Sequence, residues 1–451
     1  MKIMFFAVFI CLCLPAAAQY PSFKPLRYDD DFSSLKNDTA AGWYARLKYQ
    51  SISKNNQWSL SFGGDIRYQY LYFKNEEWGD APKDKNGFLL TRYLVHADLH
   101  TGKKIRTFMQ LQSSLANGKA QPASPVDENQ LDLHQAFIDL TVKHFTFRTG
   151  RQELLYGSQR LVAVREGPNN RQAFDAVRVL FKKNNYQADG FYSHYVKSRQ
   201  QIFDDGFNKH TKFWGAYAVI NKVPFVKNID LYYLGLWKRS AGFDDGAGRE
   251  LRHSFGTRLW NNGKKIRYDA EAVYQSGTFA GKPIHAYTVS INAGYKWIQF
   301  KSKPEFGIKA ELISGDKIYA DYLLQTFNPL FPRGGYFGLV SLIGPSNLMD
   351  IHPSFAATFT KKAVLNIDYD IFWRYSLADG IYGPNAILIY SGQGNSRKKI
   401  GNQLSADLVY TPNPFLYFRA EIAWFIAGPF IKTSGVGKDI LFIAFTSQLR
   451  F

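Results

Sequence analysis

Residues 58–72 read WSLSFGGDIRYQYLY. Trp58, Leu60, Phe62, Ile66, Tyr68, Tyr70 and Tyr72 share one parity. Ser59, Ser61, Gly63, Asp65, Arg67 and Gln69 share the other, and Leu71 alone breaks the rule. Successive side chains of a strand point to opposite faces, so this stretch is a strand with one apolar and one polar side. The pattern returns in 266–275, 287–295, 306–312 and 365–374, while no stretch carries a convincing helical period. Strands of about ten residues are long enough to cross a bilayer when tilted.

The connections carry a second rhythm. Short breaks fall at Gly102–Lys103, Val142–Lys143, Lys183–Asn185, Val223–Asn228, Asn261–Lys264, Gln299–Lys303, Lys361–Lys362 and Thr411–Pro414. Longer polar stretches alternate with them at 75–87, 116–129, 155–173, 197–211, 240–250, 276–284, 316–351, 377–400 and 428–438. Long outer loops and short periplasmic turns alternate in this way in transmembrane β-barrels. Counting from residue 57 gives about 18 strands, an even number as single-chain barrels of this kind have. The strand-like GWYARLKYQSI (42–52) would make the count odd, so it is assigned to a lead-in that can pair locally at the barrel rim. The final strand, DILFIAFTSQLRF, alternates and ends on Phe451, the kind of terminal signal that barrel-insertion machinery reads.

Composition agrees. MKIMFFAVFICLCLPAAAQ has one basic residue, an apolar run and a small-residue end, the form of a cleaved secretory signal. Cleavage after Ala18 would remove Cys11 and Cys13, the chain's two cysteines, and with them disulfides, thiol catalysis and cysteine–zinc sites. No later run of 18 or more apolar residues predicts a spanning helix. Yet aromatics make up 16% of the chain while the mean hydropathy is −0.28, as in a barrel with a lipid-facing outside and a wet inside. The net charge is +19, scattered along the chain rather than massed, which favours lipopolysaccharide or an anionic solute as partner and argues against nucleic acid. The domain reading is a signal peptide over 1–18, a periplasmic lead-in over 19–56 and an outer-membrane β-barrel over 57–451.

GGDIRYQY (63–70), GRQELLYGSQRLV (150–162) with FDAVR (174–178), EAVYQSG (271–277), ISGD (313–316) and TFNPLFPRGGYFG (326–338) occur in that order. Through them the chain resembles the alginate-export family of outer-membrane proteins. That resemblance implies an 18-stranded porin-like fold and export of an anionic polyuronate through an electropositive pore.

Strand parity then assigns residues to lumen or lipid. The polar parity holds Arg67, Arg92, Arg106, Arg148, Arg178, Arg258, Arg267, Lys309, Arg374 and Arg419. A cation facing lipid near the midplane costs about 2–4 kcal/mol, so these are expected to point inward. The same parity holds Asp65, Asp98, Asp269, Glu271, Glu311, Asp368, Asp370, Asp407 and Glu421. Two readings follow: a lattice of ion pairs stiffening the wall, or a basic ladder that meets permeating carboxylates with guanidinium forks. The segment 155–173 is the third outer loop. Its LVAV run and its Arg160, Arg165 and Arg171 suit a loop folded inward to narrow the channel, although a loop contacting lipopolysaccharide fits the same composition. Arg151 beside it joins the expected pore lining, as does Glu271. The 316–351 loop is a candidate cap by length.

No catalytic set, metal site or cofactor is assigned. His96 and His100 share a strand face but lie two pairs apart; GDK (315–317), FDDG (243–246) and DYD (368–370) could bind calcium, but turns in outer loops explain the first two as well and strand alternation the third. The expected function is a passive outer-membrane channel for an anionic polysaccharide or oligosaccharide. The expected partners are that solute, outer-membrane lipid and lipopolysaccharide, and the insertion machinery, with room for periplasmic export partners. The alternatives are a porin taking up small solutes and, from another class, a barrel enzyme at the outer rim.

Overall fold

The computed structural model describes residues 23–37, 42–53 and 57–451; the signal peptide expected over 1–18 lies outside the described residues. About 60% of the chain is strand, and eighteen strands close into one antiparallel barrel. They are β1 (Trp58–Lys74), β2 (Phe88–Thr101), β3 (Ile105–Asn117), β4 (Asn129–Val142), β5 (Phe145–Gln152), β6 (Phe174–Lys183), β7 (Tyr186–Lys197), β8 (Gly206–Val223) and β9 (Lys227–Phe243). The circuit continues through β10 (Gly246–Asn262), β11 (Ile266–Phe279), β12 (Lys282–Lys296), β13 (Glu305–Ile313), β14 (Leu348–Thr360) and β15 (Ala363–Arg374). It ends with β16 (Lys399–Asn413), β17 (Leu416–Ala427) and β18 (Ile440–Arg450). Each strand pairs with its chain neighbour, and β1 pairs with β18 from Asp65↔Arg450 to Lys74↔Leu441, so no edge is left open.

The alternation of residues 58–72 becomes the two faces of the wall. Asp65 and Arg67 are buried inside, whereas Tyr68 and Tyr70 are exposed on the outer face. Val95, Met109, Ile138, Phe147, Val177, Leu231, Phe255, Val289, Ile308, Ile422 and Phe445 are exposed on the same outer side, forming the apolar surface that lipid requires. Gly64 sits where the seam closes. Its N–H donates to the Phe451 backbone oxygen at 2.8 Å, and Phe451 N–H donates back at 3.0 Å. A Cβ on Gly64 would lie 2.5 Å from the Phe451 ring, so only glycine admits this approach.

Two expected outer loops are not loops. The stretches 240–250 and 276–284 belong mostly to β9–β12, which turn at Asp244–Asp245 and Ala280–Gly281. Strand ends that rise beyond the hydrocarbon need no apolar face, so their composition imitates a loop. The stretch 42–52 also differs from its strand-like pattern. Residues Gly42–Lys48 form a short helix, α1, because Tyr44, Ala45 and Lys48 fall on one helical face and are buried. Only Gln50–Ser51 pairs as strand, with Leu60 and Ser59 of β1.

Candidate channel constriction

Among the segments besides the wall that pack into or against the barrel, three bear on the channel. The first is the loop 153–173 between β5 and β6. Leu161, Val162, Ala163 and Val164 are buried, because the loop crosses the lumen instead of standing in solvent. At the far wall the Arg160 guanidinium donates to Ser290 Oγ at 2.7 Å, Thr288 Oγ1 at 2.9 Å and Glu311 Oε2 at 2.9 Å. Glu271 Oε2 lies 3.6 Å away. These partners sit on β11, β12 and β13. Only about 10 Å3 of space remains among Arg160, Leu161, Tyr336 and Phe337, so the crossing is close-packed.

The loop's return limb is held on the other side. Arg67 Nη1 donates to the Glu166 carbonyl at 2.7 Å and Nη2 to the Pro168 carbonyl at 3.0 Å. Arg92, its cross-strand partner, binds Glu166 and lies 3.6 Å from Asp65. Asn169 Nδ2 donates to the carbonyls of Thr91, Leu115 and Asp127, pinning the limb to backbone. Arg171 contacts Glu153 Oε1 at 2.8 Å and Glu166 Oε2 at 3.4 Å. At the tip, Arg165 has a left-handed φ of 57° and reaches Asn385.

The second segment is the long loop between β13 and β14, residues 314–347. It is a packed part of the interior rather than a free cap. Phe331 N–H donates to the Leu161 carbonyl and Ala163 N–H to the Phe331 carbonyl, both at 2.9 Å. Phe327, Leu330, Phe331 and Phe337 are buried with Phe174 and Phe213 of the wall. Arg333 of this loop is exposed and makes no ion pair among the described residues. It lies in the LFPRGGYFG stretch, but nothing in its spacing separated it from a structural arginine.

The third segment is the lead-in, which docks at the end of the barrel where the first and last strands close. Arg27 donates to the backbone oxygens of Gly64 at 2.8 Å and Phe451 at 3.0 Å, spanning the β1–β18 seam. Tyr28 packs edge-on to Phe108 and Phe137, with the Arg148 guanidinium 4.3 Å above its ring. Arg106 binds the Tyr28 carbonyl, and Arg171 donates to the Pro25 carbonyl at 3.1 Å. Lys48 is buried and donates to the Phe62 carbonyl at 2.7 Å. Burial, with Arg27 nearby, lowers its pKa to about 7.

The strand cations expected at the pore are mostly engaged with acids. Arg106 pairs with Asp98, Arg148 with Asp139, and Arg178 with Asp189. Arg258 bridges Asp230 and Asp269, Arg267 meets Glu305, and Arg419 bridges Asp407 and Glu421. Lys309 instead donates to the Tyr336 carbonyl at 2.6 Å. Two residues depart from the expected lining. Arg151 shares its parity with the exposed Phe145, Phe147 and Thr149, so it lies on the outer face and pairs there with Asp175 at 2.9 Å. One residue's shift along a strand moves a side chain to the other face. Arg374 is fully buried and holds the loop 375–398, donating to the carbonyls of Leu377, Asp379 and Arg397. It is a loop staple rather than a permeant contact.

A barrel crossed by an inward loop whose return limb is held by wall arginines is the architecture of an outer-membrane channel. Solved structures share the fold. A crystal structure of Pseudomonas aeruginosa OccD3 (OpdP) is 10% identical, with 90% of this chain and 93% of that chain covered at a TM-score of 0.59. A BenF-like porin from Pseudomonas fluorescens Pf-5 is 10% identical over 87% and 99%, at a TM-score of 0.59. P. aeruginosa OccK2 (OpdF) in complex with glucuronate is 10% identical over 87% and 96%, at 0.56. Comparison with curated proteins finds no match. A family model described as "Alginate export" matches residues 58–438. The chain therefore belongs to the alginate export family, and it is a porin-like β-barrel of the bacterial outer membrane.

Proposed function

We propose that the barrel passes an anionic saccharide, an alginate-like polyuronate or a shorter oligouronate, passively and outward, past a constriction made by the loop 153–173. The observation that supports this reading is that three guanidinium groups on or against this loop and its packed neighbour, Arg67, Arg165 and Arg333, make no ion pair among the described residues. Arg67 spends its bonds on backbone carbonyls, with one longer contact to an Asn169 side-chain oxygen. Arg165 is partly exposed beside Asn385, and Arg333 is exposed and makes no ion pair among the described residues. Their charge is not cancelled by a paired carboxylate, and a guanidinium fork matches a carboxylate bidentately. The ion-paired wall arginines have a supporting role in this reading: they stiffen the barrel. The surplus of Lys and Arg, 56 against 37 acids, favours an anion over a cation.

Reversal potentials across planar bilayers test the reading, with a potassium chloride gradient and oligouronates as blockers. Anion selectivity that falls in an Arg165→Gln/Arg333→Gln double variant is expected. Cation selectivity of the wild type would overturn it. A second reading, uptake of small carboxylates, draws on the glucuronate bound in OccK2. It predicts block by a monouronate as strong as by a longer oligouronate.

A further inference from the structure

The outward half of the wall between β13 and β15 carries a cluster that neither the loop packing nor the channel reading uses. His352 of β14 and Asp368 and Asp370 of β15 each offer one ligand atom, and these atoms lie within 4.8 Å of one another. The backbone explains why they meet. Asp368 and Asp370 alternate onto one face of β15, and the registered pairs Ile351↔Ile371 and Ser354↔Asp368 bracket His352 opposite Asp370. Pro353 lacks an N–H, and the pairing skips His352 and Pro353.

The imidazole is held between acids on both sides. Nδ1 lies 2.5 Å from Asp370 Oδ1 and 3.9 Å from Asp368 Oδ1, while Nε2 lies 2.7 Å from Asp350 Oδ2. Asp350, His352 and Asp370 are 2%, 1% and 0% exposed. Asp350 Oδ2 and Asp370 Oδ1 have only the imidazole as donor, and Asp350 Oδ1 and Asp368 Oδ1 accept no hydrogen bond among the described residues. Gln403 Nε2 serves only Asp370 Oδ2, at 2.9 Å. The nearest lysine, Lys309, stands across the strand from His352 but gives its hydrogen bond to Tyr336. Arg160 is committed to Glu311 and Glu271. Three carboxylates thus converge on one buried imidazole, which can serve two of them at most, and the remaining oxygens are left short of the donors that burial demands.

We propose that His352, Asp368 and Asp370 bind a divalent first-row transition cation of the Zn2+ or Mn2+ class. One imidazole with two carboxylates suits such an ion better than the all-oxygen shells of Ca2+ or Mg2+. Asp350 at Nε2 is the positioning residue: it fixes the ring so that Nδ1 faces the ion, as carboxylates behind metal-bound histidines do. The Asp368 side chain is 42% exposed, which gives the ion an entry path. Binding would tie β14 to β15 and remove most of an acidic stretch from the wall of a channel with a basic constriction.

The test uses the full mature chain, purified in detergent, stripped with chelator and checked for barrel folding by heat-modifiable gel mobility. Zn2+, Mn2+ and, as a control, Ca2+ are titrated separately by calorimetry. One equivalent of Zn2+ or Mn2+ per chain is expected, at least tenfold tighter than Ca2+. His352→Ala should abolish it, and Asp350→Asn should weaken it roughly 10- to 100-fold. For wild-type protein loaded with Mn2+, electron spin echo modulation should show coupling to a single imidazole nitrogen. Wild type that binds no stoichiometric ion, binding unchanged in folded His352→Ala (an adventitious ion only), or an echo without nitrogen coupling would each overturn the proposal. The echo needs no variant, so a variant that fails to fold leaves the proposal open to refutation.

Discussion

Replacing Arg160 by alanine should release the loop that crosses the barrel. Its guanidinium is 5% exposed and contacts Glu311 and Glu271, whose side chains are 0% and 4% exposed. Removing one partner of a buried pair leaves the acids without their cation and costs about 3–5 kcal/mol. The hydroxyls of Thr288 and Ser290 lose a donor as well. At about 1.4 kcal/mol per decade, the loop should leave the far wall roughly two to four orders of magnitude more often. The remaining anchors, the buried Leu161–Val164 run and Asn169, keep it tethered, so the barrel itself should fold. Hydrogen exchange should lose protection in 153–173 and in the interlocked 326–333, with β1–β3 unchanged. Mean single-channel conductance should rise, or flicker between two levels. Arg160→Met combined with Glu311→Gln should recover part of the protection, since the neutral pair leaves fewer buried charges uncompensated. Unchanged exchange and conductance in Arg160→Ala would refute the claim that this contact holds the constriction.

Tyr28→Ala should free the lead-in, since its ring packs against Phe108, Phe137 and Arg148. Losing a buried aromatic costs about 3–5 kcal/mol, and protease access to residues 23–48 without loss of the barrel band would show it. Gly150→Ala should impair barrel assembly, because Gly150 has φ 126° and an added Cβ would lie 2.2 Å from the Ala136 carbonyl oxygen; normal yield of heat-modifiable protein would contradict this. Burial and neighbouring Asp245, Asp379 and Asp321 raise the Asp316 pKa to about 7, and burial raises Asp379 to about 6. Both folded values exceed the unfolded one, so their contribution is fully present below about pH 4 and is lost as pH rises through 6 to 7. Outer-loop protection, corrected for the base catalysis of amide exchange itself, should therefore fall between about pH 4 and 7, and Asp316→Asn should flatten that dependence.

The barrel was legible because its cause repeats every second residue. The Asp65/Arg67 side and the Tyr68/Tyr70 side can be assigned from fifteen letters, and the closing Phe451 from thirteen. Loop boundaries were legible only where polarity changes inside the hydrocarbon, which is why the hairpins at Asp244–Asp245 and Ala280–Gly281 resembled long loops. Arg151 was misplaced because composition marks a cluster, whereas facing depends on a single step along β5. The meeting of Phe331 with Leu161, and of His352 with Asp370, depends on how distant segments settle in space. Nothing local encodes either contact. The DYD alternation did contain the second, but only the register with β14 gives it a histidine.

Arg27 has one further consequence, for biogenesis. A chain exported from its N-terminus delivers residue 27 long before residue 451, yet Arg27 bonds to both Gly64 and Phe451, a separation of 424 residues for the latter. Neither oxygen is in place until the first and final strands have met. The lead-in can therefore lock only onto a finished barrel. An early-made segment thus reports the last event of assembly, and a barrel stalled with its seam open would leave residues 23–30 accessible to periplasmic proteases.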